Sequence, residues 1–276
     1  MIDLHTHTTA SDGRLAPADL VARASGAGVT VLSVTDHDTT SAADAAAAAC
    51  AARGIEFVPG IEITAVVAGA DVHVLGYFMD TRSAALVTFL SEQRENRVDR
   101  VRQMIARLAA NGVALDAEAI LAPGLADPSM AVGRPWIARA LVAAGHVPSM
   151  DVAFDRWLQR GRPAFVPRTG ATPEQVFSRI HEAGGIASLA HPVHVEHDEW
   201  LPGFAEAGLD ALEAYHTDHD RAATDRYLAL AARLRLSVTG GSDFHGDDSH
   251  GGRGPGSVSL PRDAFEKLKA RRKGSR

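Results

Sequence analysis

The sequence contains only one cysteine, Cys50, so no disulfide can form within the chain. It has no apolar run approaching the roughly 20 residues that a membrane-spanning helix needs. Neither sign of charge dominates, since 28 lysines and arginines stand against 34 aspartates and glutamates, a net charge of −6. That balance argues against broad, sequence-independent binding of nucleic acid. Because the N-terminus also lacks the basic segment that begins a signal peptide, we expect a soluble cytoplasmic protein without a membrane partner.

Strand-like and helix-like segments alternate along the first 80 residues. Short strands are predicted over residues 2–4, 30–34, 55–58, 61–67 and 72–78, with helices over 17–27 and 41–53. Such alternation predicts an α/β fold with mostly parallel strands. Polar candidate ligands follow several of these strands. The expected architecture is therefore a barrel whose functional groups collect at the carboxyl ends of its strands.

The middle of the chain differs from both ends. Residues 81–160 are helical and charged, without a clear strand, and an apolar stripe with helical spacing runs from Val98 to Leu108. Strand–helix alternation then resumes. We therefore expect a discontinuous barrel domain, residues 1–80 plus 161–276, interrupted by a helical insertion domain over residues 81–160.

Nine histidines and carboxylates stand out because they follow or lie within strand-like runs. His5 and His7 alternate, so in a strand both imidazoles point to the same face. Ionisable groups in such places cost about several kcal/mol each unless they are paired or bind metal. Imidazole and carboxylate donors suit Zn²⁺, Mn²⁺ or Fe²⁺ and exclude a thiolate zinc finger. The candidate metal ligands are His5, His7, Asp12, His37, Glu62, His73, His191, Asp243 and His245.

The order of these clusters resembles a known superfamily. The runs TDHDT, HVLGY, AHP and GSDFHG are similar, in sequence order, to those of the PHP (polymerase and histidinol phosphatase) superfamily. Within it, the chain resembles the stand-alone metal-dependent phosphoesterases that act on nucleotides. The resemblance covers nearly the whole chain. It implies a distorted (β/α)₇ barrel of PHP type with a helical insertion, and two to three divalent metal ions.

The resemblance also implies how the ligands are shared. The first ion would be held by His5, His7, Glu62 and Asp243, the second by Glu62, His73 and His191, and the third by Asp12, His37 and His245. Glu62 is the expected bridge, because a carboxylate can bind two ions and a neutral imidazole only one. Asp12 stands where some relatives have histidine, which would shift the third site toward harder ions. Asp36 and Asp38 are expected to orient His37.

Clustered divalent ions suit the hydrolysis of phosphate esters. They lower the pKa of a bound water from about 15.7 toward about 7, and they offset the negative charge of the phosphate and of the departing oxygen. Glu62, His191 and Asp243 are the candidate catalytic residues. Either His191 or a metal-bound water would protonate the leaving group.

Cations outside the metal site are the candidates for substrate binding. Arg134 and Arg162 precede prolines in segments that resemble the substrate-binding region of the family, and a guanidinium binds phosphate bidentately. Arg253 lies in the glycine-rich run SHGGRGPGS, whose backbone amides could hold an anion. His216 follows a predicted strand and could face the same site.

The leading hypothesis is a metal-dependent phosphoesterase that hydrolyses nucleoside phosphates. The resemblance implies 3′,5′-bisphosphate nucleotides or short oligonucleotides cut from the 5′ end, and the acidic net charge favours a small substrate over a stable complex with long nucleic acid. Two alternatives stay open at this point. One is a histidinol-phosphate phosphatase with the same metal site, and the other is a catalytically silent module that binds metal or nucleotide. The sequence does not fix the metal or the oligomeric state.

Overall fold

Seven strands form a single sheet in the order of the chain, β1-β2-β3-β4-β5-β6-β7. The computed structural model describes residues 1–127, 132–246 and 253–274. Neighbouring strands pair in parallel except at β3–β4 and β4–β5, which are antiparallel. The strands are β1 Ile2–Asp3, β2 Val31–Val34, β3 Glu56–Val67, β4 Ala70–Tyr77, β5 Ile186–Leu189, β6 Ala211–His216 and β7 Ser237–Gly241.

Helices pack against this sheet and fill the middle of the chain. The described helices are α1 Pro17–Gly26, α2 Ala43–Ala51, α3 Ala84–Ala110, α4 Ala117–Ala126, α5 Arg134–Ala143, α6 Met150–Ala153, α7 Pro173–Glu182, α8 Leu201–Glu206, α9 Arg221–Leu234 and α10 Arg262–Gly274. None of the helices within the described residues is both long enough and apolar enough to cross a membrane.

The edges of the sheet meet where the first strand approaches the last. The backbone N–H of Leu4 donates to Gly240 O at 3.2 Å, and that of Asp243 donates to His5 O at 2.8 Å. Further along, Thr6 and Phe244 form a parallel bridge. These contacts nearly close the sheet into a barrel, and they place the segments after β1 and β7 side by side.

One predicted pair of strands proves to be a single strand. The sequence analysis predicted separate strands over 55–58 and 61–67, and the Pro59-Gly60 pair between them is of a kind that commonly marks a turn. Instead β3 runs through both residues, with Pro59 paired to Val34 of β2. Gly60 permits this because the two strands approach closely, and a Cβ at that position would collide with the Ser33 side chain.

The hairpin between β3 and β4 explains how an antiparallel strand joins a largely parallel barrel. Ala68 and Gly69 connect the strands, both with φ in the left-handed region, at +49° and +74°. The register pairs Thr64 with His73, so His73 shares a face of the sheet with Thr64 and Glu62. The reversal therefore still brings His73 to the end of the barrel where β3 carries Glu62.

The segment between β4 and β5 is helical throughout its described part. Leu86 and Phe89 in the first half of α3 pack into the core of the barrel with Ile180 of α7. The second half of α3, including the predicted stripe from Val98 to Leu108, is buried in a separate hydrophobic cluster with α5. Helix α3 thus connects two cores. The division into a barrel domain (1–80 plus 161–276) and an insertion domain (81–160) stays a prediction.

Candidate metal centre

The nine predicted metal ligands come together at one mouth of the barrel. His5 and His7 follow β1, His37 follows β2, His191 follows β5, and Asp243 and His245 follow β7. Glu62 and His73 lie on facing strands of the β3–β4 hairpin. Asp12 reaches the group from the loop after β1. Side chains that are distant in sequence therefore meet because the strand ends share one edge of the sheet.

The first group consists of His5, His7, Glu62 and Asp243, whose donor atoms all lie within 4.8 Å of one another. The Nε2 atoms of His5 and His7 lie 3.3 and 3.2 Å from Glu62 Oε2, and 3.2 and 3.1 Å from Asp243 Oδ1. Atoms bound about 2.1 Å from one ion stand roughly 3.0–3.4 Å apart in octahedral or tetrahedral geometry. The four donors therefore already have the spacing of ligands around a common ion.

Glu62 faces two groups of imidazoles with its two oxygens. Besides the first group, Oε2 lies 3.2 Å from His37 Nδ1. Oε1 lies 2.8 Å from His73 Nδ1 and 3.1 Å from His191 Nε2. One carboxylate thus stands between the sets of donors predicted for the first and second ions, which is the placement that a bridging ligand requires.

The third group gathers around Asp12. His245 Nε2 lies 3.3 Å from Asp12 Oδ1, and His37 Nε2 lies 3.8 Å from Oδ2. His7 is also within the span of this group. His37 accordingly presents one nitrogen to Glu62 and the other to Asp12, between two of the predicted ion positions.

The chemistry of the donors fits divalent metal. His5, His7 and Glu62 are buried, and ionised groups in such surroundings need charged partners or an ion. Within the described part of the chain, both ring nitrogens of His7 and the Nδ1 atoms of His37 and His73 are buried without a hydrogen-bond partner. Nitrogens that converge on carboxylates without hydrogen-bonding to them are suited to hold a cation between them.

Electrostatics keep the carboxylates of the centre ionised. Burial would raise the pKa of Glu62, but His37, His73 and His5 outweigh it and hold that pKa well below its usual range. Burial likewise opposes ionisation of Asp12, and His245 and His37 reverse the effect, so the pKa of Asp12 is also lowered. Both oxygens of each group are therefore available as negatively charged ligands at neutral pH.

A carboxylate that the sequence analysis missed supports this centre from behind. Glu213 lies on β6 and is buried. Its Oε2 accepts a hydrogen bond from the backbone N–H of His191 at 2.7 Å. Its Oε1 lies 3.0 Å from His5 Nδ1, the ring nitrogen that does not face Glu62. A carboxylate behind a ligating imidazole fixes its orientation and tautomer. The signal in the sequence was its position at the end of the short strand-like run 210–213, the same kind of signal that pointed to the candidate ligands.

Comparison with known proteins places the chain in a family. The family model for the PHP domain matches residues 3–121. The 3′,5′-nucleoside bisphosphate phosphatase of Chromobacterium violaceum is 34% identical over 98% of this chain and 97% of its own length. The chain belongs to the PHP family. The 5′-3′ exoribonuclease Rnm of Escherichia coli is 37% identical over 88% of the chain and 84% of its own length.

Solved structures of this family share the whole architecture. A candidate metal-dependent phosphoesterase from Bifidobacterium adolescentis superposes with a TM-score of 0.88 at 31% identity, covering 98% of this chain and 95% of that one. This likeness confirms the predicted distorted PHP barrel. Together with the phosphatase and the exoribonuclease, it also confirms that this PHP protein is a phosphoesterase, an enzyme that hydrolyses phosphoric esters.

The arginines beside the PHP metal centre differ in part from those predicted. Arg134 lines a cleft next to His37 and His73, as expected for a substrate-binding residue. Arg162 does not reach it, since it is exposed and its backbone N–H closes a turn onto Gln159 O. Six residues later, Arg168 lines the cleft instead.

The structure places the other two predicted substrate-binding residues outside the cleft that Arg134 lines. The His216 side chain is fully buried, with Nε2 lying 3.3 Å from Asp243 Oδ2, so it lies behind a predicted metal ligand, and its contact with substrate stays a prediction. Arg253 is exposed and donates to Thr217 O at 2.7 Å, away from the cleft of Arg134. Its side chain therefore secures the loop after β6. The glycine-rich run that was predicted to hold an anion spans residues 249–257, and its first four residues, 249–252, lie outside the described residues.

The two aspartates that flank His37 bond elsewhere. Asp36 accepts hydrogen bonds from the backbone and hydroxyl of Thr8, both at 2.7 Å. Asp38 accepts from the backbone N–H of Thr64 and pairs with Arg97 of α3. They fix the loops on which His7 and His37 stand, rather than orienting the imidazole of His37 directly.

Proposed function

We propose that this PHP phosphoesterase acts on nucleoside phosphates, either 3′,5′-bisphosphate nucleotides or short oligonucleotides from the 5′ end. The proposal is supported by relatives that match nearly the full chain and are named for those two substrate classes. The acidic net charge of −6 is consistent with a small substrate. The observation that carries the proposal is the position of Glu62, with one oxygen facing each of two groups of imidazoles.

We infer that two to three divalent ions, Mn²⁺, Fe²⁺ or Zn²⁺, occupy this centre. When bound, they would supply hydroxide near neutral pH and neutralise the charge of the phosphate. Glu62 would join the first two positions, and the Asp12 group would provide the third. The harder oxygen donor at Asp12 favours Mn²⁺ or Fe²⁺ there over Zn²⁺.

The chain itself contributes a cation for a phosphate group of the substrate and shields the site. His5, His7 and Glu62 are buried in the barrel, so bulk water does not reach the predicted metal ligands from the barrel interior. Arg134 is 29% exposed in the adjoining cleft and can donate two hydrogen bonds to a phosphate oxygen pair. The backbone N–H of the buried Asp243 donates a hydrogen bond to the backbone carbonyl of His5, which fixes the position of Asp243. The role of His191 as proton donor to the leaving group stays a prediction.

A phosphate-release screen tests the proposal. The enzyme, reconstituted separately with Mn²⁺, Fe²⁺ and Zn²⁺, is assayed on mononucleotides, 3′,5′-bisphosphates, short 5′-phosphorylated RNA and histidinol phosphate. We expect bisphosphates or RNA to give the highest kcat/KM. Faster hydrolysis of histidinol phosphate would overturn the substrate class, and no turnover with metal bound would overturn catalysis itself.

The substitution Glu62→Gln tests the bridge. We expect loss of at least one equivalent of metal and a fall in kcat of at least about 100-fold, because the amide carries no negative charge to share between two ions. The matched control is Glu56→Gln on the same strand, an exposed carboxylate paired with Lys269 that should leave both values unchanged. Full metal content and turnover in the Glu62 variant would refute the bridging role.

A further inference from the structure

A group of arginines lies beside the metal centre, where the helices between β4 and β5 meet the barrel. Two come from α3, one begins α5, and one lies on the segment before α7. Their carboxylate partners are Asp38 and Asp71, so four guanidinium groups face two carboxylates, an excess of two positive charges. This arginine cluster consists of Arg97, Arg100, Arg134 and Arg168.

Two donor atoms of the arginine cluster, within the described residues, are buried without a hydrogen-bond acceptor. Within the described residues, Arg168 Nε and Arg100 Nη2 have no hydrogen-bond partner, although each side chain is only 10% and 8% exposed. Asp71 lies 3.6 Å from Arg134 and Arg168 and 3.8 Å from Arg100, too far for a hydrogen bond. Leaving a charged donor buried without a hydrogen bond costs free energy, which an anionic acceptor within hydrogen-bond distance would recover.

Arg97 shows what a satisfied member of the arginine cluster looks like. It pairs with Asp38 and donates to Thr64 Oγ1 at 3.0 Å. Its role is to fasten α3 to the barrel. Arg168 differs, since its two carboxylate neighbours, Asp38 and Asp71, lie at 3.7 and 3.6 Å and neither is hydrogen-bonded to it.

The arginine cluster opens into the cleft that also contains metal ligands. A cavity of about 110 Å³ is lined by Arg134 and Arg168 together with His37, His73 and Asp12. Gly133, at the N-terminus of α5, lines it too, and the dipole of a helix favours an anion at that end. Burial lowers the pKa of Arg168 to about 9, which still leaves the guanidinium positively charged at neutral pH.

We propose that Arg168 and Arg134, spaced by Asp71, form a subsite for a second phosphoryl group of the substrate, next to the ester that is cleaved. The inference rests on the proposed function and deepens it. The subsite would select substrates in which two phosphoryl groups are separated by a sugar, whether the second is a monoester or the next diester of an oligonucleotide. A nucleoside monophosphate has no second phosphoryl group and would leave the subsite without an anion.

Selectivity for the second phosphate is the first test. We compare kcat/KM on adenosine 3′,5′-bisphosphate, a 5′-phosphorylated dinucleotide and both adenosine monophosphates for the wild type, Arg168→Gln and Arg162→Gln. The Arg162 variant removes the same charge from an exposed site six residues away. We expect Arg168→Gln to lose at least 10-fold on the bisphosphate, the dinucleotide or both, mainly through KM, and less than threefold on the monophosphates.

Two results would overturn the subsite: an equal loss on mono- and bisphosphates, or no loss on either. Thermal unfolding of each variant checks the fold. If Arg168→Gln does not fold, Arg134→Gln carries the same test, because the Arg134 side chain is more exposed, at 29%, and lies 3.6 Å from Asp71, beyond hydrogen-bond distance.

A binding measurement separates this inference from the proposed function. Inorganic sulfate is titrated by calorimetry into chelator-treated wild type, Arg168→Gln and Arg162→Gln. We expect sulfate to bind at least 10-fold more weakly to Arg168→Gln only. Unchanged binding in that variant would overturn the subsite. If the wild type hydrolyses no nucleotide, the proposed function fails, and the sulfate result still decides whether the arginines form an anion site.

Discussion

Three residues near the metal centre have a backbone conformation that side chains other than glycine rarely adopt. Asp38, His191 and Asp243 have φ values of 51°, 22° and 51°. Such positions cost about 1–3 kcal/mol each and persist where the surroundings impose them. For His191 the restraint is visible, since its backbone N–H donates to Glu213 at 2.7 Å. The conformation turns the chain sharply after β5 and directs the imidazole toward Glu62.

Glu213 therefore acts on two predicted ligands, through the backbone of His191 and the Nδ1 of His5. We expect Glu213→Gln to weaken metal binding by about 10- to 100-fold, because the amide holds the tautomer of His5 less firmly. Competition with a chromophoric chelator measures the affinity, and excess Mn²⁺ should restore much of the activity.

The exposed Glu206 on α8 provides the control for this substitution. Glu206→Gln removes the same charge from the surface and should bind metal like the wild type. Unaltered affinity in Glu213→Gln, with the fold retained, would show that His5 needs no carboxylate behind it.

At the scale of elements, the convergence of the candidate ligands could be predicted because most of them follow one rule. His5, His37 and His191 each come directly after a short apolar strand, and parallel strands bring their ends together. His73 was found by its residue type within an apolar run, but its arrival at the mouth depends on the antiparallel hairpin. Hydrophobic periodicity indicates a strand without giving its direction, so the two antiparallel pairings could not be assigned from the sequence.

The arginines illustrate what the sequence could not provide. Arg97 and Arg100 lie on α3 among other charged residues, a pattern typical of a solvated helix face. Both are in fact buried against Asp38 and Asp71. Burial of a charged side chain depends on which helix packs over which strand, and that is a property of tertiary structure. The prediction of Arg162 instead of Arg168 has the same origin.

Asp210 joins three elements at the opposite end of the barrel. It lies 2.6 Å from His181 Nε2 of α7 and accepts from the Ala187 N–H of β5 at 3.0 Å and from Arg271 Nε of α10 at 3.1 Å. Burial would raise the pKa of Asp210, but these bonds outweigh it and lower the pKa. The stabilisation is therefore present above the pKa of the unfolded chain, about 3.9, and is lost as the pH falls through the lower folded-state value.

We accordingly expect Asp210→Asn to reduce the free energy of unfolding by about 1–2 kcal/mol at pH 7, with the difference shrinking below about pH 4. Urea unfolding at several pH values measures it. Asp225→Asn, at an exposed pair with Arg221 on α9, should change stability by less than about 0.5 kcal/mol. A constant difference from pH 7 to pH 3 would show that the charge of Asp210 does not contribute.

At the scale of the whole molecule, the metal centre gathers segments that follow β1, β2, β5 and β7 and residues within β3 and β4. The predicted metal ligands therefore connect most of the barrel. Burial opposes protonation of His245, but Asp12 and Asp243 outweigh it and raise its pKa to about 10. A pKa of about 10 keeps the His245 imidazole protonated at neutral pH in the absence of metal, and an ion that binds there would have to displace that proton.

Removal of metal should consequently destabilise the entire barrel. A ligand present at 100 times its Kd contributes about 2.7 kcal/mol, and for a chain of this size each kcal/mol moves the Tm by about 2–4 °C. We expect chelation to lower the Tm by roughly 5–10 °C, and the difference to grow from pH 6 to pH 8, because fewer protons then compete for the imidazoles. Differential scanning calorimetry of holo and chelated protein measures it. In the control Glu56→Gln, chelation should lower the Tm as much as in the wild type, whereas in Glu62→Gln it should lower the Tm less. If holo and chelated wild type melt at the same temperature, with metal contents verified, the metal centre does not hold the strands of the barrel together.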